Sequence, residues 1–153
     1  MEELETKKYA GIDLGRTSVQ FSIYREGQEE MTEESFLLSE EEQKEYIESG
    51  MRQVERYMET GGLRWPDFQA VHFSMEDASE ENRSKLKSAV SEELRKLHGV
   101  KVITHFRAFA EYVFHQERIM WDRNTLLLDY HDNQLSYVLI DQIRRSKQKA
   151  YRA

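Results

Sequence analysis

The six residues Asp13-Leu14-Gly15-Arg16-Thr17-Ser18 concentrate the most chemistry in this 153-residue chain. A tight β-turn carrying glycine and hydroxyl residues presents several backbone N–H groups to one point, which is what a polyphosphate tail requires. An aspartate at the end of the strand entering the turn can hold Mg²⁺, usually through water, beside those phosphates. Asp13 would be that carboxylate, with Gly15, Arg16, Thr17 and Ser18 as the cradle. The bare D-x-G-x-[ST] spacing is only moderately specific, because it also suits an ordinary tight turn with a capping aspartate.

Other reactive groups are sparse. The five histidines are scattered, with no pair at metal-ligand spacing on one predicted helix. His105 and Arg107 follow a predicted strand, where they would face either a ligand in the cleft of an α/β sheet or plain solvent. His131-Asp132 lacks a placed nucleophile, and adjacent turn residues seldom face one another. The chain has no cysteine, so it has no disulfide framework and no thiolate chemistry.

Composition narrows the class. With 39% hydrophobic and 33% charged residues, the chain is too apolar and too patterned for disorder, though its mean hydropathy of -0.81 implies a thin core. The net charge of -7 argues against nucleic acid as a partner, since phosphate contacts need a basic face. No stretch reaches the roughly 18 apolar residues of a membrane span, and the N-terminus is acidic where a signal peptide is basic. A cytoplasmic, bacterial-type protein is expected. Glutamates crowd residues 26–48, which reads as a solvated hairpin edge and the start of a helix, while residues 144–152 are basic and read most simply as a solvated chain end.

The elements that must position Asp13 to Ser18 follow from periodicity. Residues 8–14 and 19–24 alternate as two strands, and the short Gly15–Ser18 link makes them an antiparallel hairpin. Residues 31–38 supply a third strand. Ser39 caps a helix carrying Ile47, Met51, Val54 and Met58 that stops at Gly61-Gly62. Trp65-Pro66-Asp67 is a turn, and residues 68–75 form an apolar strand. Ser79 caps a second helix through about Leu97, residues 100–104 form a buried strand, and residues 107–120 form an aromatic helix whose Phe109, Tyr112 and Phe114 read as core or, in part, as a face for a second lobe or a partner. Residues 125–129 and 134–140 form a last hairpin around His131-Asp132-Asn133. The order β-β-β-α-β-α-β-α-β-β predicts an α/β fold with a mixed sheet of ribonuclease-H-like type.

Residues 10–18, continuing through Tyr24 and Gly27, resemble the first phosphate motif of the actin, heat-shock chaperone and sugar kinase ATPase superfamily. The resemblance continues in order over nearly the whole chain. Gln69 to Ser74 and the helix at 81–89 look like the fourth strand and next helix of the chaperone ATPase domain. Gly99 to Thr104 and the helix through Phe114 look like its fifth strand and following helix. Leu126-Leu127-Leu128-Asp129 with residues 135–140 takes the place of the second phosphate hairpin. The resemblance implies an N-terminal lobe over residues 1–120 and the start of a second lobe over residues 121–153, cut short at Ala153. It implies ATP with Mg²⁺ as cofactors, held by Asp13 and Asp129, and in-line phosphoryl transfer to water.

The departures point the other way. Arg16 stands where the family has a small hydroxyl residue, so its guanidinium either grips phosphate or fills the pocket. Asp129-Tyr130-His131-Asp132-Asn133-Gln134 lacks the glycines that let backbone approach a phosphate, and Asp132 would repel one. Phe106 and Arg107 fall where an acidic residue would position the attacking water. No Gly-Gly adenosine motif is present. The expectation is therefore a divergent, non-catalytic or weakly nucleotide-binding scaffold for protein assembly, with a protein partner or self-association through the 125–140 hairpin. The alternative is a Mg²⁺-dependent ATP-binding or ATP-hydrolysing domain of a larger protein.

Overall fold

A computed structural model describes residues 7–28, 31–114, 125–131 and 134–140. Two compact units divide the chain, residues 1–105 and 106–153.

The first unit is built on a five-stranded mixed sheet. Its strands are β1 (Lys8–Leu14), β2 (Ser18–Arg25), β3 (Thr32–Leu37), β4 (Phe68–Met75) and β5 (Val100–Thr104), in spatial order β3-β2-β1-β4-β5. β1 to β3 are antiparallel neighbours joined by short turns, whereas β4 and β5 run parallel to β1 and to each other. Parallel neighbours need crossovers, and α2 (Tyr46–Thr60) and α3 (Glu80–Ala89) lie on them. Strict alternation aims Ala10, Ile12, Leu14, Val19, Phe21, Ile23, Val71, Phe73 and Met75 into one core, where each is at most 5% exposed. Against that face α2 lays Ile47, Met51, Val54 and Met58. Gly50 permits the close approach: a Cβ there would sit 2.9 Å from Leu14 Cδ2. α2 ends as expected, with Gly62 at φ 69° and the Leu63 N–H bonded to the Met58 carbonyl at 2.8 Å.

All five strands of this sheet fall where alternation places them, within one residue at each end. Two expected helices are instead interrupted. The helix starting at Ser39 splits into α1 (Glu40–Gln43) and α2, because Glu45 adopts φ -128°, ψ 61°. α1 buries no residue, so only the stripe from Ile47 onward decides the direction of α2. The two stay tied by Gln53, which donates to Glu42 Oε2 at 3.1 Å. The helix starting at Ser79 splits into α3 and α4 (Glu92–Arg95) at Val90, where ψ is 152°. The break lets both Leu86 and Leu94 reach the core. Arg95 satisfies the exposed end of α3 by donating Nε to the Lys87 carbonyl at 3.1 Å. A signal for this break lies in the sequence. Ser39-Glu40-Glu41, Ser79-Glu80-Glu81 and Ser91-Glu92-Glu93 repeat one helix-start pattern, and each precedes a helix.

Two carboxyl groups near α2 shift in opposite directions. The Ser39 backbone N–H, then Gln53, holds Glu42 below the ordinary glutamate value. Burial pushes Glu55 above it, partly countered by the Ser91 backbone and the Trp65 indole.

The third helix, α5 (His105–Phe114), begins two residues before the expected start, directly from the end of β5; residues 115–120 lie outside the described residues. In the second unit β6 (Thr125–His131) pairs antiparallel with β7 (Gln134–Ile140), and Asp132-Asn133 between them lie outside the described residues.

Candidate functional site

The site grows from the pleat of β1. Alternation buries Ile12 and Leu14, which leaves Asp13 on the opposite face at the carboxyl end of the strand. Parallel register sets Ser74 of β4 beside it. The Ser74 hydroxyl donates to Asp13 Oδ1 at 2.8 Å. One strand further, β5 ends and α5 begins with His105, whose Nδ1 lies 3.1 Å from the same oxygen. A carboxylate only accepts, so His105 donates from Nδ1. Asp13 and His105 are both largely buried, with side chains 16% and 23% exposed. Three consecutive parallel strands thus bring one acid, one hydroxyl and one imidazole together at their carboxyl ends. Open α/β sheets bind ligands outside that end.

The turn beside this cluster is internally bonded. The Gly15 N–H donates to the Ser18 carbonyl at 3.0 Å, and the Leu38 N–H donates to the Thr17 carbonyl at 2.9 Å. Gly15 itself is buried, while Arg16 points outward and sets Nε 3.2 Å from Glu76 Oε2, just beyond β4. That oxygen forms no hydrogen bond of good geometry, so the contact is an ion pair. Asp13, Gly15, Arg16, Thr17 and Ser18 therefore share one hairpin end. A Mg²⁺ ion on Asp13 Oδ1 would have to displace two hydrogen-bond donors.

Asp129 belongs to the other unit, in β6 opposite Ser136, and its side chain lies outside the described residues. So do the side chains of His131, Asp132, Asn133 and Gln134. On one face of this hairpin the described side chains are apolar. Leu128 opposes Tyr137 and Tyr130 opposes Leu135, with Leu126 on the same face, and all five are 54–71% exposed. No cluster of three or more His, Asp or Glu able to hold a metal occurs among the described residues. No described helix is long and apolar enough to cross a membrane.

Sequence reasoning found the hairpin and flagged His105 without its partner. It missed Ser74 and Glu76. The available signal was positional: Ser74 is a small polar residue at the carboxyl end of an apolar strand, next in register to the aspartate of the motif.

Residues 22–153 match a family described as "Family of unknown function (DUF5716) C-terminal". No curated protein matches the chain in sequence. Among solved structures, an exopolyphosphatase from Cytophaga hutchinsonii is similar over 95% of this chain and 49% of its own, at TM-score 0.57 and 12% identity. YeaZ from Pseudomonas aeruginosa is similar over 95% and 66% of the two chains, at TM-score 0.54 and 8% identity. The Aquifex aeolicus member of the Ppx/GppA family is similar over 95% and 50%, at TM-score 0.52 and 15% identity. The chain thus spans half to two thirds of the length of these structures. At such identities the likeness establishes the fold alone, a mixed sheet of ribonuclease-H-like type.

Proposed function

This chain belongs to the DUF5716 C-terminal family, and we propose that it serves as a divergent actin-like scaffold for protein assembly rather than as an efficient phosphoryl-transfer enzyme. The observation that carries this is the apolar face of the β6–β7 hairpin, where Leu126, Leu128, Tyr130, Leu135 and Tyr137 are all exposed. Large exposed apolar patches mark interaction surfaces. The state of the first hairpin supports the same conclusion: the Gly15 N–H, the Arg16 guanidinium and the Asp13 carboxylate each already engage protein groups. In this reading residues 1–120 act as an N-terminal lobe, residues 121–153 begin a second one, and the protein works in a bacterial cytoplasm.

A second reading keeps the ancestral chemistry. Asp13 stands at the carboxyl end of a central parallel strand, where a nucleotide phosphate with Mg²⁺ would approach the turn at Gly15, Arg16, Thr17 and Ser18. Asp13 and Asp129 would orient the cation. Calorimetric titration with ATP, with and without Mg²⁺, separates the two. The scaffold reading expects no binding at millimolar ATP and a defined complex or oligomer in solution. Micromolar ATP affinity that disappears on Asp13→Ala would establish the second reading instead.

A further inference from the structure

Two complementary features stand at opposite edges of the five-stranded sheet, and neither is part of the hairpin site. At the β5 edge, β4, β5, α3 and α4 enclose an apolar well of about 180 Å³ whose walls include Phe73, Leu86, Leu94 and Val102. A cavity of about 150 Å³ holds a benzene-sized group, so the well accepts one apolar side chain. Arg83, Lys87 and Arg95 line the same well. Carbonyl hydrogen bonds fix two of them: Arg83 Nε donates to the Ala78 carbonyl at 2.8 Å, and Arg95 Nε to that of Lys87 at 3.1 Å. Those bonds orient the guanidinium groups without cancelling their charge. Among the described residues none of the three has a carboxylate at ion-pair distance, although the chain carries a net charge of -7.

At the β3 edge the situation is reversed. Leu37 is 83% exposed, more than any other large apolar side chain among the described residues. Glu33 and Glu34 precede it in the strand, and Glu40 and Glu41 follow at the start of α1, all in exposed or nearly exposed positions. Only Glu41 is offset, by Lys44 at 3.0 Å. One edge therefore carries an apolar knob in an acidic rim, and the other an apolar hole beside three cations.

We propose that copies of this chain associate head to tail, Leu37 of one copy entering the well of the next with its glutamates over Arg83, Lys87 and Arg95. The inference rests on the assembly reading above and assigns it a partner, a second copy. The two surfaces differ, so the contact is heterologous and generates a ring or an open filament. The buried leucine anchors the contact, and the opposed charges set its register and speed its formation.

Light scattering and sedimentation over a concentration series test this directly. Wild-type chain grows in mass with concentration, and its association weakens about tenfold or more as NaCl rises from about 50 to about 500 mM. Leu37→Asp is monomeric, and so is the double variant Arg83→Glu with Lys87→Glu; all three positions are exposed, and circular dichroism verifies folding. An equimolar mixture of the two variants forms dimers and nothing larger, because one retains the well and the other the knob. A wild-type chain that stays monomeric overturns the inference. Oligomers that survive both variants but dissolve on Leu128→Asp also overturn it, while leaving the assembly reading standing on the β6–β7 hairpin.

Discussion

The chain contains two antiparallel hairpins whose first strands bear an aspartate, β1–β2 and β6–β7, and they differ in what surrounds them. In the first, every second residue is buried beneath α2, with Leu14 and Val19 0% exposed at the turn itself. In the second, Leu128 and Tyr137 oppose each other across the strands and remain 55% and 56% exposed. The same antiparallel pairing thus accompanies opposite degrees of burial. The buried hairpin holds a carboxylate in a fixed position, and the exposed one offers surface. A two-stranded ribbon alone is marginally stable, so the second hairpin gains most from a partner.

The comparison breaks most visibly under truncation. Leu14→Ala should cost about 2–5 kcal/mol, because a fully buried leucine leaves a cavity that helix α2 cannot follow inward. Leu128→Ala should stay within about 0.5 kcal/mol, as expected for an exposed position. Urea denaturation of both variants checks this, and equal costs would show that the second hairpin is buried in solution.

A smaller effect sharpens what holds the first hairpin. Asp13→Ala leaves the Ser74 hydroxyl and His105 Nδ1 without their acceptor and should cost about 1–3 kcal/mol. Asp13→Asn keeps one acceptor oxygen and should recover part of that loss. If Asp13→Ala proves neutral in denaturation, the carboxylate is not part of the packing and the internal-bonding argument fails.

The smallest effect is a pH slope in the unit that carries the first hairpin. Glu55 holds its proton more tightly when folded than when unfolded, since burial raises its pKa. A raised folded pKa adds stability below the unfolded value and loses it as pH rises through the folded value. Glu55→Gln should therefore flatten the fall in melting temperature above the ordinary glutamate range. Glu42, with a lowered pKa, has the opposite sign: its contribution is present above the unfolded value and fades as pH falls. A Glu42→Gln variant that steepens acid unfolding, rather than blunting it, would contradict that assignment.

Much of this was legible in the sequence, and the boundary has physical causes. The strands could be read because alternation is a local consequence of burying one face. The helix break at Glu45 could not, because docking of Ile47 on the sheet decides it, and the break at Val90 left only the Ser91-Glu92-Glu93 helix start as its trace. The hairpin Asp13 to Ser18 was visible as a motif. The partners of Asp13 were not, because Ser74 and His105 lie 61 and 92 residues away and meet it only through parallel pairing. His105 was noticed for its place after a strand, which indicates position but not contact. Arg16 reads from the sequence as a grip on phosphate or as a pocket filler, and its ion pair with Glu76 depends on where β4 ends beside the turn.

Strand β1 sits at the centre of the sheet, yet its two neighbours are made at different times. β2 follows within four residues of Leu14, whereas β4 begins only at Phe68. During synthesis the first three strands leave the ribosome with one long side of β1 still open. That side bears the backbone groups that will later bind β4, so the nascent chain passes through a stage prone to mispairing with other nascent chains. The acidic residues crowded into residues 26–48 emerge in the same interval, and like charges along a strand edge disfavour such pairing.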